Sequence, residues 1–255
     1  MPTRDEILRA FTNEFYKDAY AFALWQAGSS AFNRSDEWSD IDLMLITEDG
    51  YEKQAMQQAG LMLERSFGID VKFEVDPPQW QGMTQTFFRL KNATPFLLID
   101  FSILPMSAPD KFAETEIHGN AVVLFDKKDI VATTQPVNHE QLKHKLKARI
   151  TTQKRKQEIF WVLVDKELNR SNAIDAFIFY WSYTLAPLVE ILRIKHAPHY
   201  WNFGSRYINK HLPADVAAEL EQFYFVKDMV DIKEKNKKAR AWLYTAFDDA
   251  MQSIT

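Results

Sequence analysis

Apolar positions along the first 135 residues change period several times. Thr3 with Glu6 forms a capping-box pattern, and Ile7, Leu8, Phe11 and Phe15 then recur at helical spacing. Tyr20 to Ala27 is a short aromatic-rich run ending at Gly28, which reads as a strand. Ile41 to Thr47 is almost continuously apolar, so it predicts a strand buried on both faces. Tyr51 to Phe67 returns to helical spacing and stops at Gly68, a helix C-cap signal. Ile69 to Val75 alternates strictly, predicting a half-buried strand that Asp76-Pro77-Pro78 ends. Phe96 to Leu104 predicts another buried strand and Ala121 to Phe125 a short one.

The remainder shows no strand pattern. Gln141 to Leu168 and Ala173 to Lys195 predict two long helices, the second kinked at Pro187, and Asp215 onward supplies more. The expected fold is therefore α+β: a small mixed β-sheet domain with flanking helices, followed by an all-α helical bundle. Charge divides the chain at the same place. Residues 1–135 hold 12 Lys and Arg against 21 Asp and Glu, a net −9; residues 136–255 hold 19 against 14, a net +5. The polar stretch Thr133-Thr134-Gln135-Pro136-Val137-Asn138 is the candidate linker, giving domains 1–135 and 139–255.

Composition mostly narrows the chemistry. The 255 residues are 46% hydrophobic and 26% charged, as in ordinary globular proteins. With no cysteine, disulfides, a thiol nucleophile and cysteine-ligated metals are excluded. Seven glycines supply neither a Rossmann nor a P-loop fingerprint. The N-terminus is acidic where a signal peptide needs apolar residues, and the longest apolar stretch, Ala176 to Val189, is interrupted by Ser182, Thr184 and Pro187. A cytoplasmic protein without a membrane span is the expectation.

Chemistry concentrates in Ala27-Gly28-Ser29-Ser30 and Ser39-Asp40-Ile41-Asp42-Leu43. On a strand, Asp40 and Asp42 point to one face. Two carboxylates at the end of a buried strand repel each other and resist desolvation, and a divalent cation relieves both penalties. Oxygen ligands suit Mg²⁺ or Mn²⁺. Asp100, inside the apolar run from Phe96 to Leu104, faces the same cost. Three such carboxylates could hold one or two Mg²⁺ ions, and the glycine–serine turn offers a backbone that phosphate can approach closely.

Gly28-Ser29, ten intervening residues, Asp40-Ile41-Asp42 and the later Asp100 between hydrophobics resemble the signature of the nucleotidyltransferase superfamily that includes DNA polymerase β. The resemblance covers about residues 20–105. A small catalytic domain followed by a helical one is similar in layout to the aminoglycoside and lincosamide nucleotidyltransferases. The resemblance implies Mg²⁺-dependent transfer of a nucleoside monophosphate from an NTP to a hydroxyl of a small acceptor. Asp40, Asp42 and Asp100 would be catalytic and metal-binding, and Gly28, Ser29, Ser30 and Ser39 nucleotide-binding. It also implies a homodimer. The competing class is an inactive, nucleotidyltransferase-like protein-binding module of the toxin–antitoxin kind, or an enzyme modifying protein or RNA.

Other residues carry weaker signals. Glu190 is a candidate general base, set against an ion pair with Arg193 one turn on. Glu74 has Lys72 two residues away on the same face and reads as salt-bridged. His196 and His199 flank Pro198 and read as loop residues. The basic run from Lys143 to Lys156 reads as a solvated helix face rather than a nucleic-acid surface. The aromatic residues of the second part read as bundle core, some of it open to an acceptor pocket.

Overall fold

The computed structural model describes residues 1–76, 82–134 and 136–254. Pro77 and Pro78, expected to end a strand, and Gln135 of the candidate linker lie outside the described residues. The chain is α+β and falls into two compact units, Met1–Val137 and Asn138–Thr255.

The first unit runs α1 (Arg4–Phe15), β1 (Ala21–Gln26), α2 (Gly28–Ala31), β2 (Ile41–Thr47), α3 (Glu52–Phe67), β3 (Ile69–Glu74), β4 (Thr84–Leu90), β5 (Leu98–Pro105), α4 (Thr115–His118) and β6 (Val122–Asp126). The Thr3–Glu6 capping box is formed, with the Glu6 carboxylate accepting from the Thr3 N–H at 2.8 Å. Six strands make one mixed sheet in the order β3-β4-β5-β2-β1-β6. Its central pair, β2 and β5, is parallel, and every other pairing is antiparallel. Residue alternation then fixes the two faces. Leu43, Leu45, Phe101 and Ile103 pack with Ile7, Phe11 and Phe15 of α1 and Met62 and Leu63 of α3 in one core cluster. On the other face Trp25, Met44, Ile46 and Leu104 form a second, smaller cluster. Asp42 and Asp100 alternate with the first set, so they stand on the face opposite α1 and α3.

Two strands differ from the sequence pattern. β4 carries no alternation strong enough to predict it, yet it lies between β3 and β5. β3 was expected to be half-buried but is an exposed edge: Val71 is 47% and Phe73 61% accessible. The helical layer reaches Ile69 at its start, which packs against the core, and goes no further along the strand. Lys72 pairs with Glu74, and Arg89 of β4 with Asp70 at 2.8 Å, so charge decorates this edge.

The second unit has no strand among its described residues and runs α5 (His139–Phe160), α6 (Val162–Asn169), α7 (Ala173–Tyr180), a π turn (Trp181–Leu185), α8 (Ala186–His196), a 3₁₀ turn (Pro198–Tyr200), α9 (Ile208–His211), α10 (Ala214–Glu221) and α11 (Met229–Ser253). The single helix expected over Gln141–Leu168 is divided at Trp161. Pro187 does not break its helix. It sits at the start of α8, directly after the π turn, within one continuous run of helix. It leaves the Tyr183 carbonyl without its usual helical donor, and the buried Gln157 side chain donates to that carbonyl at 2.7 Å. Ala173–His196 is long and apolar enough to cross a membrane by length and composition, but Ala176, Tyr180, Leu185, Leu188 and Ile191 are all buried inside the unit. It is the central helix of the bundle, packed on Leu243 and Phe247 of α11.

Candidate functional site

The N-terminal ends of β2 and β5 lie side by side, in register from Ile41↔Ile99 through Asp42↔Asp100. Residues paired this way point to the same face, so the topology alone brings two carboxylates to neighbouring positions across a strand spacing of about 5 Å. Asp40 precedes β2, and its carboxylate lies near the Leu98 N–H at the start of β5. The turn entering β2 is held from below: Arg4 of α1 donates to the Ser39 carbonyl at 2.5 Å and to the Asp40 carbonyl at 2.7 Å.

Gly28 meets this pair from the end of β1. The Ala27 N–H donates to the Asp42 carbonyl at 3.0 Å, and Gly28 turns into the left-handed region at φ +57°. A Cβ on Gly28 would lie 1.9 Å from the Asp42 Oδ2. The glycine was expected to make room for phosphate. What its missing side chain admits in this structure is the Asp42 carboxylate.

The serines are tied to their own loop. Ser30 Oγ donates to Gln26 Oε1 at 2.9 Å and lies 2.9 Å from Ser35 Oγ, which is also 3.4 Å from Ser29 Oγ. Ser39 Oγ donates to Asp36 Oδ1 at 2.6 Å. These bonds shape the turn around Gly28 and the approach to Asp40.

Asp100 is more enclosed than Asp40. Burial pushes its pKa up, and the charge of Asp40 adds to the rise; hydrogen bonds from Gln85 and Ser102 act against it. Gln85 Nε2 sits 2.8 Å from Oδ1 and 3.0 Å from Oδ2, and Ser102 Oγ is 3.4 Å from Oδ1. Burial raises the pKa of Asp40 as well, opposed by the Leu98 N–H and by Arg4. Asp40, Asp42 and Asp100 share one end of the sheet, but among the described residues no three acidic or imidazole groups converge closely enough to hold a metal ion as they stand. The donor set still suits a hard divalent cation chemically, since every group offered is a carboxylate oxygen.

Sequence reasoning missed three contributors. Gln85 lies on β4, the strand without a pattern. Arg4 reads in the sequence only as part of a helix. Trp38 and Phe96, 58% and 55% accessible, stack edge to face at 4.8 Å immediately before Asp40 and β5. The signal for this pair was present in two large aromatics two and four residues upstream of the acids.

Glu190 belongs to the helical unit. Its expected partner Arg193 is turned away from it: that buried guanidinium donates to the Gly204 carbonyl at 2.7 Å, to the Arg206 carbonyl and towards His211 Nδ1 at 2.9 Å. Glu190 is gripped instead by Arg149 of α5 in a two-pronged pair and by Gln153 Nε2 at 2.6 Å. Both carboxylate oxygens are therefore engaged. The basic run is partly structural too, with Lys154 paired to Asp248 at 3.2 Å and Lys145 lying 5.2 Å over the Trp201 ring. His199 stacks edge to face on His139 at 5.6 Å.

The fold and site together define an α+β protein whose mixed sheet presents acids at the mouth of its parallel strand pair, in a chain that continues into a helical unit. Among solved structures the chain is similar to a nucleotidyltransferase-like protein from Exiguobacterium sibiricum 255-15, at TM-score 0.40 and 10% identity, with 98% of this chain and 77% of that chain covered. No family model and no curated protein matches the sequence.

Proposed function

We propose that the first unit transfers a nucleoside monophosphate from an NTP to a hydroxyl of a small acceptor, with Mg²⁺ as the cofactor. The observation that carries this reading is the in-register pair Asp42 and Asp100 with Gly28 closed against the Asp42 carboxylate. Such a pair is costly to desolvate without a cation and becomes favourable with one. Mg²⁺, when bound, neutralises triphosphate charge and the carboxylates together. Asp40 and Asp42 would hold it, and Asp100 would complete the site.

The chain's own groups supply the rest. The acceptor oxygen attacks the α-phosphorus, a new P–O bond forms, the bond to the bridging oxygen breaks, and pyrophosphate leaves. Asp100 would either complete the Mg²⁺ site or accept the proton of the attacking hydroxyl, and its burial-raised pKa suits the second role. Gln85 keeps both Asp100 oxygens oriented. The acceptor is a hydroxylated small molecule, and the exposed Trp38–Phe96 pair gives it an apolar wall beside Asp40. Cytoplasmic location and a homodimer belong to the same proposal.

One observation favours a second reading. Gln85 already donates to both Asp100 oxygens, and no three-ligand set is closed among the described residues. On that reading the chain is an inactive relative that binds a protein partner. A thermal-shift titration separates the two. ATP, GTP, CTP and UTP are each added with and without Mg²⁺ to wild type and to Asp42→Asn. A ligand that binds only the folded state raises apparent stability by RT ln(1 + [L]/Kd). A Mg²⁺-dependent shift that Asp42→Asn abolishes supports the enzyme. Absence of any shift at millimolar NTP rejects it in favour of the inactive reading.

A further inference from the structure

We infer that the helical unit carries a separate binding site for a phosphorylated, hydroxyl-bearing small molecule, built on α11 around Lys233, Lys237 and Arg240. These residues fall at spacings of four and three, so they share one face of the helix, and Tyr244 continues it one turn on. They line a cavity of about 410 Å³ with Asp165 of α6 and Glu234. That volume lies within the usual range for small-ligand pockets, about 300–1,000 Å³.

The cations of this face differ from their neighbours. Lys235 on the same helix is paired with Asp231 at 3.1 Å and also donates to the Phe225 carbonyl. Lys233, Lys237 and Arg240 make no ion pair among the described residues. The Arg240 guanidinium lies 4.5 Å over the Trp161 ring, which holds it flat where α5 gives way to α6. Its Nε is shut off from water and has no hydrogen-bond partner. A fixed guanidinium fork with two lysines beside it matches a phosphate group.

The two acids decide the class of ligand. A nucleic-acid backbone would bring successive phosphates against Asp165 and Glu234 and be repelled. A molecule with one phosphate and several hydroxyls meets the cations with the first and donates to the carboxylates with the second. The site lies within the second unit and owes nothing to the nucleotidyl-transfer proposal.

The experiment is an NMR titration of the full chain that follows the arginine Nε–H signal assigned to Arg240 by its loss in Arg240→Gln. The probes are inorganic phosphate, ribose 5-phosphate, ribose, and sodium chloride at matched ionic strength. The inference expects a saturable shift with phosphate, binding at least tenfold tighter for ribose 5-phosphate, and none with ribose or chloride. Lys237→Gln, a change at an exposed position, should weaken ribose 5-phosphate at least fivefold, and Asp42→Asn should change nothing. The inference fails if phosphate leaves the signal unmoved, if chloride moves it equally, or if Lys237→Gln binds as wild type. It also fails if a single-stranded RNA oligonucleotide displaces ribose 5-phosphate at lower concentration, which would assign the face to nucleic acid.

Discussion

Replacing Gly28 with alanine tests the closest contact in the candidate site. Two costs add. At φ +57° a residue with a Cβ is strained by about 1–2 kcal/mol. The new methyl would also lie 1.9 Å from Asp42 Oδ2 and 2.5 Å from its Cγ. The carboxylate must retreat by roughly 1.5 Å to reach ordinary contact, which drives its side chain off rotamer for about another 1 kcal/mol. A total of about 2–3 kcal/mol corresponds to a Tm loss of roughly 6–15 °C for a unit of this size. Gly60 provides the control. It lies within α3, and a methyl added there would meet nothing within 4 Å, so Gly60→Ala should gain about 0.5–1 kcal/mol through helix propensity. Urea melts of both variants give the stabilities, and the Mg²⁺–NTP thermal shift gives the site. The expected result is a destabilised Gly28→Ala without nucleotide response beside a stabilised Gly60→Ala that keeps it. A Gly28→Ala protein within about 2 °C of wild type and binding nucleotide normally would refute the argument.

Two further outcomes follow from buried groups. Burial lowers the pKa of His118, against the opposing charges of Glu114 and Asp110, so the unfolded chain binds its proton more readily than the folded one. Stability should therefore fall as pH drops through the ordinary histidine value of about 6.5 towards the lowered folded value, and His118→Gln should flatten this part of a Tm-against-pH curve; an unchanged slope would count against it. Arg193→Met should cost about 3 kcal/mol in a denaturant melt and expose residues 197–212 to limited proteolysis, because it strands the Gly204 and Arg206 carbonyls and His211 Nδ1; a variant as protease-resistant as wild type would show that the loop is held by other contacts.

Strong periodicity made most of the first unit legible. Ile41–Thr47 coincides with β2 to the residue, because a strand buried on both faces needs an unbroken apolar run. The same logic failed at the sheet edge. Ile69–Val75 alternates, yet alternation records only that two faces differ, and at β3 both are open. Thr84–Leu90 mixes threonines, glutamine and arginine with two phenylalanines, since its residues meet the acids on one side and the core at Phe88 on the other. In the helical unit the long apolar run gave away α7 and α8. It could not show the π turn, nor that Gln157 from another helix reaches the Tyr183 carbonyl. The ion pair of Glu190 departs from the sequence spacing for a related reason: spacing offers Arg193, but burial of that guanidinium against the 204–211 loop leaves Arg149 as the partner.

The acids illustrate why chain order reaches only part of a site. Asp40, Asp42 and Asp100 are brought to one end of the sheet by strand register, and register follows from apolar pattern. The bonds that orient them come from elsewhere in the chain, from Arg4 and Gln85. Gln85 need not oppose a cation. Each carboxylate oxygen has two lone pairs, and the amide occupies one direction on each, leaving the others open. A neutral donor that fixes a ligand carboxylate without cancelling its charge is a common companion of metal sites. On the proposed reading, a cation shared by Asp40, Asp42 and Asp100 would relieve the like-charge repulsion that opposes their closer approach.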